Sequence, residues 1–190
     1  MLRHRREFLA LLASACATPA LAQIPAMSRP TAYAFSFRRL EGGDLRLVDY
    51  AGKPILVVNT ASLCGYTPQY EGLQQLWTRF HDQGLLIVGV PSTDFGGQEP
   101  GGAAEIGHTA HQEYGVTFPL AEKVTVKGPA AHPFYRWAAG ERPLEAPRWN
   151  FHKYLIGRDG HIAAAFPADI EPLDARIVAA IAKELRPPAS

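Results

Sequence analysis

The hydrophobic pattern of this chain is built around two continuous apolar runs, Ile55-Leu56-Val57-Val58 and Leu85-Leu86-Ile87-Val88-Gly89-Val90. Neither alternates with polar residues, so each reads as a strand covered on both faces, over residues 55–59 and 85–90. Between them Leu73, Leu76, Trp77 and Phe80 recur at i, i+3, i+4 and i+7, which predicts a helix with one face turned to a core. Thr67 is placed to cap that helix, Pro68 suits its first turn and Gly84 its end. Strand, helix and strand in this order make a βαβ unit with parallel strands. Upstream, Ala34–Phe37 and Leu45–Val48 alternate about Gly42-Gly43 and predict a hairpin. Downstream, residues 102–113 and 132–138 read as helices. Tyr154-Leu155-Ile156 and His161–Phe166 form a second hairpin around Gly157-Arg158-Asp159-Gly160. A last helix is predicted from near Pro172, burying Leu173, Ile177, Ile181 and Leu185 at fourfold spacing.

This order of elements predicts an α/β chain with a thioredoxin-like fold: a central mixed sheet flanked by helices, with an N-terminal β-hairpin. A fold of that kind hosts many activities, so function has to be argued from the site.

Length and charge narrow the field. At 190 residues the chain suits one domain plus a targeting segment. A formal net charge of +1, with no basic block, gives nucleic-acid binding no support. No run of about 18 apolar residues is present, so no stable membrane insertion is expected.

The first residues have a logic of their own. Arg5-Arg6-Glu7-Phe8-Leu9 precedes a short apolar core, and Ala20-Leu21-Ala22 precedes Gln23. A charged start, an apolar core and a small-residue cleavage site describe an export signal, here of twin-arginine type. The expected layout is a signal over 1–22, a flexible Pro-bearing leader over 23–31, the thioredoxin-like domain over 32–186 and a tail over 187–190. A periplasmic location follows. Cleavage after Ala22 removes Arg3, Arg5, Arg6 and Glu7, taking 19 basic and 18 acidic residues to 16 and 17. It also removes Cys16, so the two cysteines become one. In an alternative reading Cys16 is a lipid-attachment site after Ala13-Ser14-Ala15, with the chain anchored through it.

The remaining cysteine, Cys64, stands between the first buried strand and its helix, in Asn59-Thr60-Ala61-Ser62-Leu63-Cys64-Gly65-Tyr66-Thr67-Pro68-Gln69-Tyr70. Free N–H groups and the positive dipole end at a helix start favour a thiolate, the nucleophilic form of the sulfur. Thr67 stands where a Cys-x-x-Cys redox motif has its second cysteine. One redox-active sulfur is left with no partner beside it, although a lone cysteine also packs readily as a small apolar group.

Three further segments point the same way: Phe95-Gly96-Gly97-Gln98-Glu99-Pro100-Gly101, Tyr114-Gly115-Val116-Thr117-Phe118-Pro119-Leu120 and Trp149-Asn150-Phe151-His152-Lys153-Tyr154-Leu155. Together with Asn59–Tyr70 they resemble the glutathione peroxidase family in its bacterial-type, cysteine-containing, non-selenium form, from about Phe35 to about Leu185. The resemblance implies a thiol-dependent peroxidase acting in the response to oxidative stress. It implies Cys64, Gln98, Trp149 and Asn150 as catalytic residues, and a cycle through a Cys64 sulfenic acid that reduces hydrogen peroxide and organic hydroperoxides. The amides of Gln98 and Asn150 and the indole N–H of Trp149 are neutral donors that can stabilise charge on the leaving oxygen. No cofactor is implied. The reductant is an external thiol, glutathione or a thioredoxin-like protein.

Two departures qualify the resemblance. Ser92-Thr93-Asp94 replace the usual Cys-Asn-Gln, and Ala110 stands where thioredoxin-dependent members carry a resolving cysteine. Both favour a one-cysteine cycle and weaken the case for thioredoxin. The short stretch Ala138–Pro147, beside the longer insertion of tetrameric members, implies a monomer. An exported thiol–disulfide exchange protein and a catalytically silent binding or sensor domain are the alternative functions. His108 and His111 lie three apart, but no third ligand stands beside them and zinc sites want three or four. None of the Gly pairs precedes the Lys-Ser/Thr of a phosphate loop.

Overall fold

The computed structural model describes residues 29–186. The expected signal with Cys16, most of the leader and the tail 187–190 lie outside the described residues. The first hairpin forms as expected, with β1 (Ser36–Arg38) antiparallel to β2 (Asp44–Arg46) and the buried Phe37 opposite the buried Leu45. The two apolar runs become β3 (Ile55–Thr60) and β4 (Leu86–Pro91), which pair in parallel with every residue buried. β5 (Lys153–Ile156) pairs antiparallel with β3, and β6 (Ile162–Phe166) antiparallel with β5. The sheet is therefore mixed, in the order β4-β3-β5-β6.

Helix α1 (Gln69–Phe80) joins β3 to β4 and buries Leu73, Leu76 and Phe80, while Trp77 is half-buried. Its chain then passes through one 3-10 turn to Gly84, whose φ of 111° takes the backbone into the left-handed region. Gly89 in β4 meets a different demand. A Cβ there would lie 2.5 Å from Leu120 Cδ2, so only glycine lets the 119–121 segment bond to the strand. The two apolar clusters lie on opposite faces of the sheet: Ile55, Val57 and Tyr154 point to one, Leu56, Val58 and Leu155 to the other. That is the strand alternation expected for a doubly covered sheet.

Three expectations are refined. The 102–113 segment is α-helical only over α2 (Ala103–Gly107) and continues as a π-helix over His108–Glu113, with Ala110 buried in the core. The 132–138 helix extends to Glu141 as α3 (Pro133–Glu141). The last helix, α4 (Ala175–Leu185), starts later than expected, because Asp174 caps it by accepting the Arg176 N–H at 2.9 Å. Leu173 thus precedes the helix and is 45% exposed, Leu185 is half-buried, and the buried stripe is Ile177 and Ile181.

Candidate active site

The site is assembled at the C-terminal end of β3, where the chain leaves the sheet toward α1. Four residues after β3 ends at Thr60, a tight turn carries Cys64. Thr67 holds that turn: its hydroxyl accepts the Cys64 N–H at 3.1 Å and lies 2.9 and 2.7 Å from the carbonyl oxygens of Ala61 and Cys64. The expected cap on α1 is not its role, since α1 starts at Gln69 with no side-chain cap. Thr67 is buried, and its hydroxyl instead clasps the loop that presents the cysteine. Cys64 is 7% exposed, and its sulfur accepts the backbone N–H of Tyr66 at 3.4 Å. Cys64 is the free cysteine of the described residues.

Gln98 follows the turn made by Gly96 and Gly97, whose φ values of 67° and 64° are open to glycine at no steric cost. The Gln98 carbonyl accepts the N–H of Leu63 at 3.0 Å, which fastens the Gln98 loop to the residue beside Cys64. Its side-chain Oε1 accepts the Asn150 Nδ2 at 2.9 Å. That leaves the Gln98 NH2 as the end of the amide with donors to spare. Asn150 is fully buried, and its Oδ1 has no partner among the described residues. Trp149 is 40% exposed and packs against Phe95 with ring centroids 6.0 Å apart. A Cβ on Gly96 would touch both the Gln98 side chain and the Trp149 ring, at 3.5 and 3.7 Å, so these two side chains meet over that glycine. Gln98, Trp149 and Asn150 are thus gathered together from two loops, of which the Gln98 loop is bonded to the Cys64 turn. The hydrogen bond to the sulfur comes from Tyr66.

Two residues that carry no chemistry in the sequence reading set this geometry. Asn59, the penultimate residue of β3, donates its Nδ2 to the Trp149 carbonyl at 3.0 Å, and its backbone carbonyl accepts the Phe151 N–H at 2.6 Å. Phe151 has φ 61°, the one non-glycine residue with positive φ among the described residues. Strain of this kind costs on the order of 1–3 kcal/mol and persists only where surroundings over-determine it. Here Asn59 and the buried Phe151 ring hold the bend that aims Trp149 and Asn150. An Asn ending an apolar strand was a signal available in the sequence; the positive φ was not.

Two buried basic residues follow. Lys153 donates to Gln69 Oε1 at 2.6 Å and to the Ile170 carbonyl at 2.7 Å, tying β5 to the start of α1. Burial pulls its ammonium down to about 8, against the raising pull of Glu171 and Asp169. Burial, helped by the neighbouring Lys153, holds His152 neutral with a value of about 4. His152 lines a cavity of about 620 Å³ that also includes Tyr66, Leu144, Arg148 and Trp149 and so opens beside the site. No group of three or more metal-ligating side chains is found among the described residues.

A thioredoxin-like sheet that presents one cysteine at the head of its first βαβ helix, beside a bonded Gln–Asn pair and a half-open tryptophan, defines a thiol-based oxidoreductase. Comparison with known proteins gives the family. The glutathione peroxidase family model matches residues 32–139. The chain is 44% identical over 156 residues to the hydroperoxy fatty acid reductase gpx1 of Synechocystis, covering 77% of this chain and 92% of that one. It is 40% identical over 154 residues to the glutathione peroxidase-like peroxiredoxin GPX5 of Chlamydomonas reinhardtii, covering 77% and 95%. The crystal structure of Trgpx in apo form superposes with a TM-score of 0.68 at 32% identity, covering 85% of this chain and 99% of the other. The chain belongs to the glutathione peroxidase family and is a peroxidase of the oxidoreductase class.

Proposed function

We propose that the protein is an exported one-cysteine thiol peroxidase in which Cys64 is the attacking residue and Gln98, Trp149 and Asn150 serve the reacting oxygens. The observation that carries this reading is the pair of links at the Cys64 turn. The Tyr66 N–H reaches the sulfur at 3.4 Å, and the Leu63 N–H reaches the Gln98 carbonyl at 3.0 Å. In the first step the Cys64 thiolate attacks one oxygen of ROOH. An S–O bond forms, the O–O bond breaks, and ROH leaves once a proton is supplied to the alkoxide. Cys64 becomes a sulfenic acid, the first and reversible stage of cysteine oxidation. The free Gln98 NH2 and the Trp149 indole N–H are the neutral donors available to the leaving oxygen.

Two thiols complete the cycle. The first forms a mixed disulfide with Cys64 and releases water. The second attacks that disulfide, regenerates Cys64 and leaves as the oxidised thiol. Ala110, buried in the core at the resolving position, supports return by an outside thiol. Hydrogen peroxide and organic hydroperoxides are the substrates, and glutathione or a thioredoxin-like protein is the reductant. No nucleic acid or stable membrane insertion takes part, and the protein works as a monomer. The paired arginines and the Ala20-Leu21-Ala22 site support periplasmic delivery, with anchoring through Cys16 as the alternative route.

The test is peroxide consumption by the mature protein with glutathione and with a thioredoxin system, for the wild type and for Cys64→Ser. Turnover that depends on Cys64 supports the reading. Turnover retained in Cys64→Ser ends it.

A further inference from the structure

The cavity of about 620 Å³ that shares Tyr66 and Trp149 with the Cys64 site is far larger than hydrogen peroxide needs, and it has the size of a small-molecule site. Both of its sides are fastened to the sheet or to α1. On one, the Tyr154 hydroxyl donates to the Glu145 carbonyl at 2.9 Å. On the other, Gln69 Nε2 donates to the Ala168 carbonyl at 2.7 Å. The space stays open because β6 and the chain after it place the small side chains of Ala165 and Ala168 there. Of the lining residues only Ala168 and His152 are buried, so the depth of the cavity offers a single polar side chain. His152 is 4% exposed, its ring stands edge-on to Tyr154 with centroids 4.7 Å apart, and its Nε2 has no hydrogen-bond partner among the described residues. Orphaned buried polar groups are rare because each costs free energy. One that lines a cavity gains its partner when a ligand enters. The mouth of the cavity is apolar too. Among the described residues five large apolar side chains are exposed; Leu144 and Trp149 line this cavity, and Leu63 adjoins Cys64 in the chain.

We propose that this cavity seats the organic group of the hydroperoxide, and that His152 is a specificity-determining residue that donates from Nε2 to the carbonyl of an acyl-chain substrate. The inference rests on the reading of Cys64 as the attacking residue. Held neutral by burial, the imidazole carries one N–H to give, which suits an uncharged carbonyl oxygen. The apolar chain lies against Leu144, Trp149, Ala165 and Ala168, and its burial supplies the hydrophobic gain that hydrogen peroxide cannot. A peptide thiol fits less well. Its amides and charged ends need several buried partners, and the depth of this cavity holds only His152. The charged groups stand at the rim. Glu145 is taken by Arg142 at 3.1 Å, while Arg148 and Asp169 are exposed and form no ion pair among the described residues. A free acid and an ester share the carbonyl and the chain; only the acid offers Arg148 a charge.

The experiment measures single-turnover oxidation of Cys64 by hydrogen peroxide, by linoleic acid hydroperoxide and by its methyl ester, in wild type, His152→Leu, His152→Gln, Ala165→Leu and Arg148→Gln. The quantity read is the ratio of each acyl rate constant to that for hydrogen peroxide, which a general loss of folding does not move. In wild type both ratios exceed one. His152→Leu lowers both about tenfold, the size of one buried hydrogen bond, and His152→Gln, which keeps an N–H donor, restores part of the loss. Ala165→Leu fills the cavity and lowers both ratios. Arg148→Gln lowers the ratio for the acid alone if the rim guanidinium meets its carboxylate, and leaves both ratios unchanged if the carbonyl is read without it; either result supports the carbonyl as the shared feature. Wild-type ratios at or below one overturn the proposal, as do ratios that neither His152→Leu nor Ala165→Leu changes. Should His152→Leu not fold, Ala165→Leu and His152→Gln decide it on the same ratios. A wild-type Cys64 inert to all three peroxides refutes the peroxidase reading instead. The cavity is then judged by calorimetric binding of linoleic acid, which wild type must bind and His152→Leu or Ala165→Leu must weaken; no binding to wild type contradicts it.

Discussion

Asn150 donates its side-chain amide to Gln98 Oε1 at 2.9 Å, across 52 residues of sequence. This bond turns two polar side chains into one unit. It consumes the acceptor end of Gln98 and leaves the donor end free. Because Asn150 is fully buried while Gln98 is only half-buried, the pair has one anchored member and one that faces the site.

The pair predicts coupled losses. Gln98→Ala and Asn150→Ala should each slow Cys64 oxidation by roughly tenfold to a thousandfold, the range seen when one preorganised donor is lost. The double variant should lose far less than the product of the two, since each single change already breaks the shared bond. Rates of single-turnover oxidation, set beside melting temperatures, check this. Multiplying losses would mean that the two amides act independently.

The clasp by Thr67 predicts a stability effect that one hydroxyl controls. Thr67→Val keeps the shape but strands the Cys64 N–H and the Ala61 carbonyl, a cost of about 1–3 kcal/mol. Thr67→Ser keeps the hydroxyl and should retain most of that stability. Urea unfolding of the two variants measures the difference, and equal midpoints would remove Thr67 from the account of the turn.

His152 predicts a pH dependence. Its folded-state value of about 4 lies below the ordinary 6.5, so between those values the unfolded chain binds the proton more readily. Stability from this group is therefore fully present above about pH 6.5 and is lost as pH falls toward 4. The loss is on the order of 3 kcal/mol. His152→Gln should lack this acid-side loss. Unfolding free energies of both proteins at pH 4 and 7 test it, and parallel losses in the two would contradict it.

Much of this arrangement was legible before the structure. β3 and β4 stand out because continuous apolar runs have few other uses, and the α1 face follows from period alone. Site segments around Cys64, Gln98 and Trp149 were legible as motifs. What was not legible depends on distant partners. Thr67 reads as a helix cap, yet its hydroxyl is taken by the Cys64 turn. Leu173 matches the α4 spacing, but the Asp174 cap starts the helix after it. The roles of Asn59 and Phe151 exist only because β3 and β5 are neighbours in the sheet, which no local pattern records. The π-helical turns over His108–Glu113, which bury Ala110, were likewise not marked by the local sequence pattern.

The central claim is a single-sulfur cycle at Cys64, and intact mass spectrometry of the mature protein under graded peroxide, with and without glutathione, tests it most directly. The account predicts a gain of one oxygen at Cys64 with equimolar peroxide, then two or three with excess. A glutathione adduct should form when that thiol is present, and Cys64→Ser should show none of these. A monomer that instead loses two hydrogens, or a wild-type protein whose mass does not change, would contradict it.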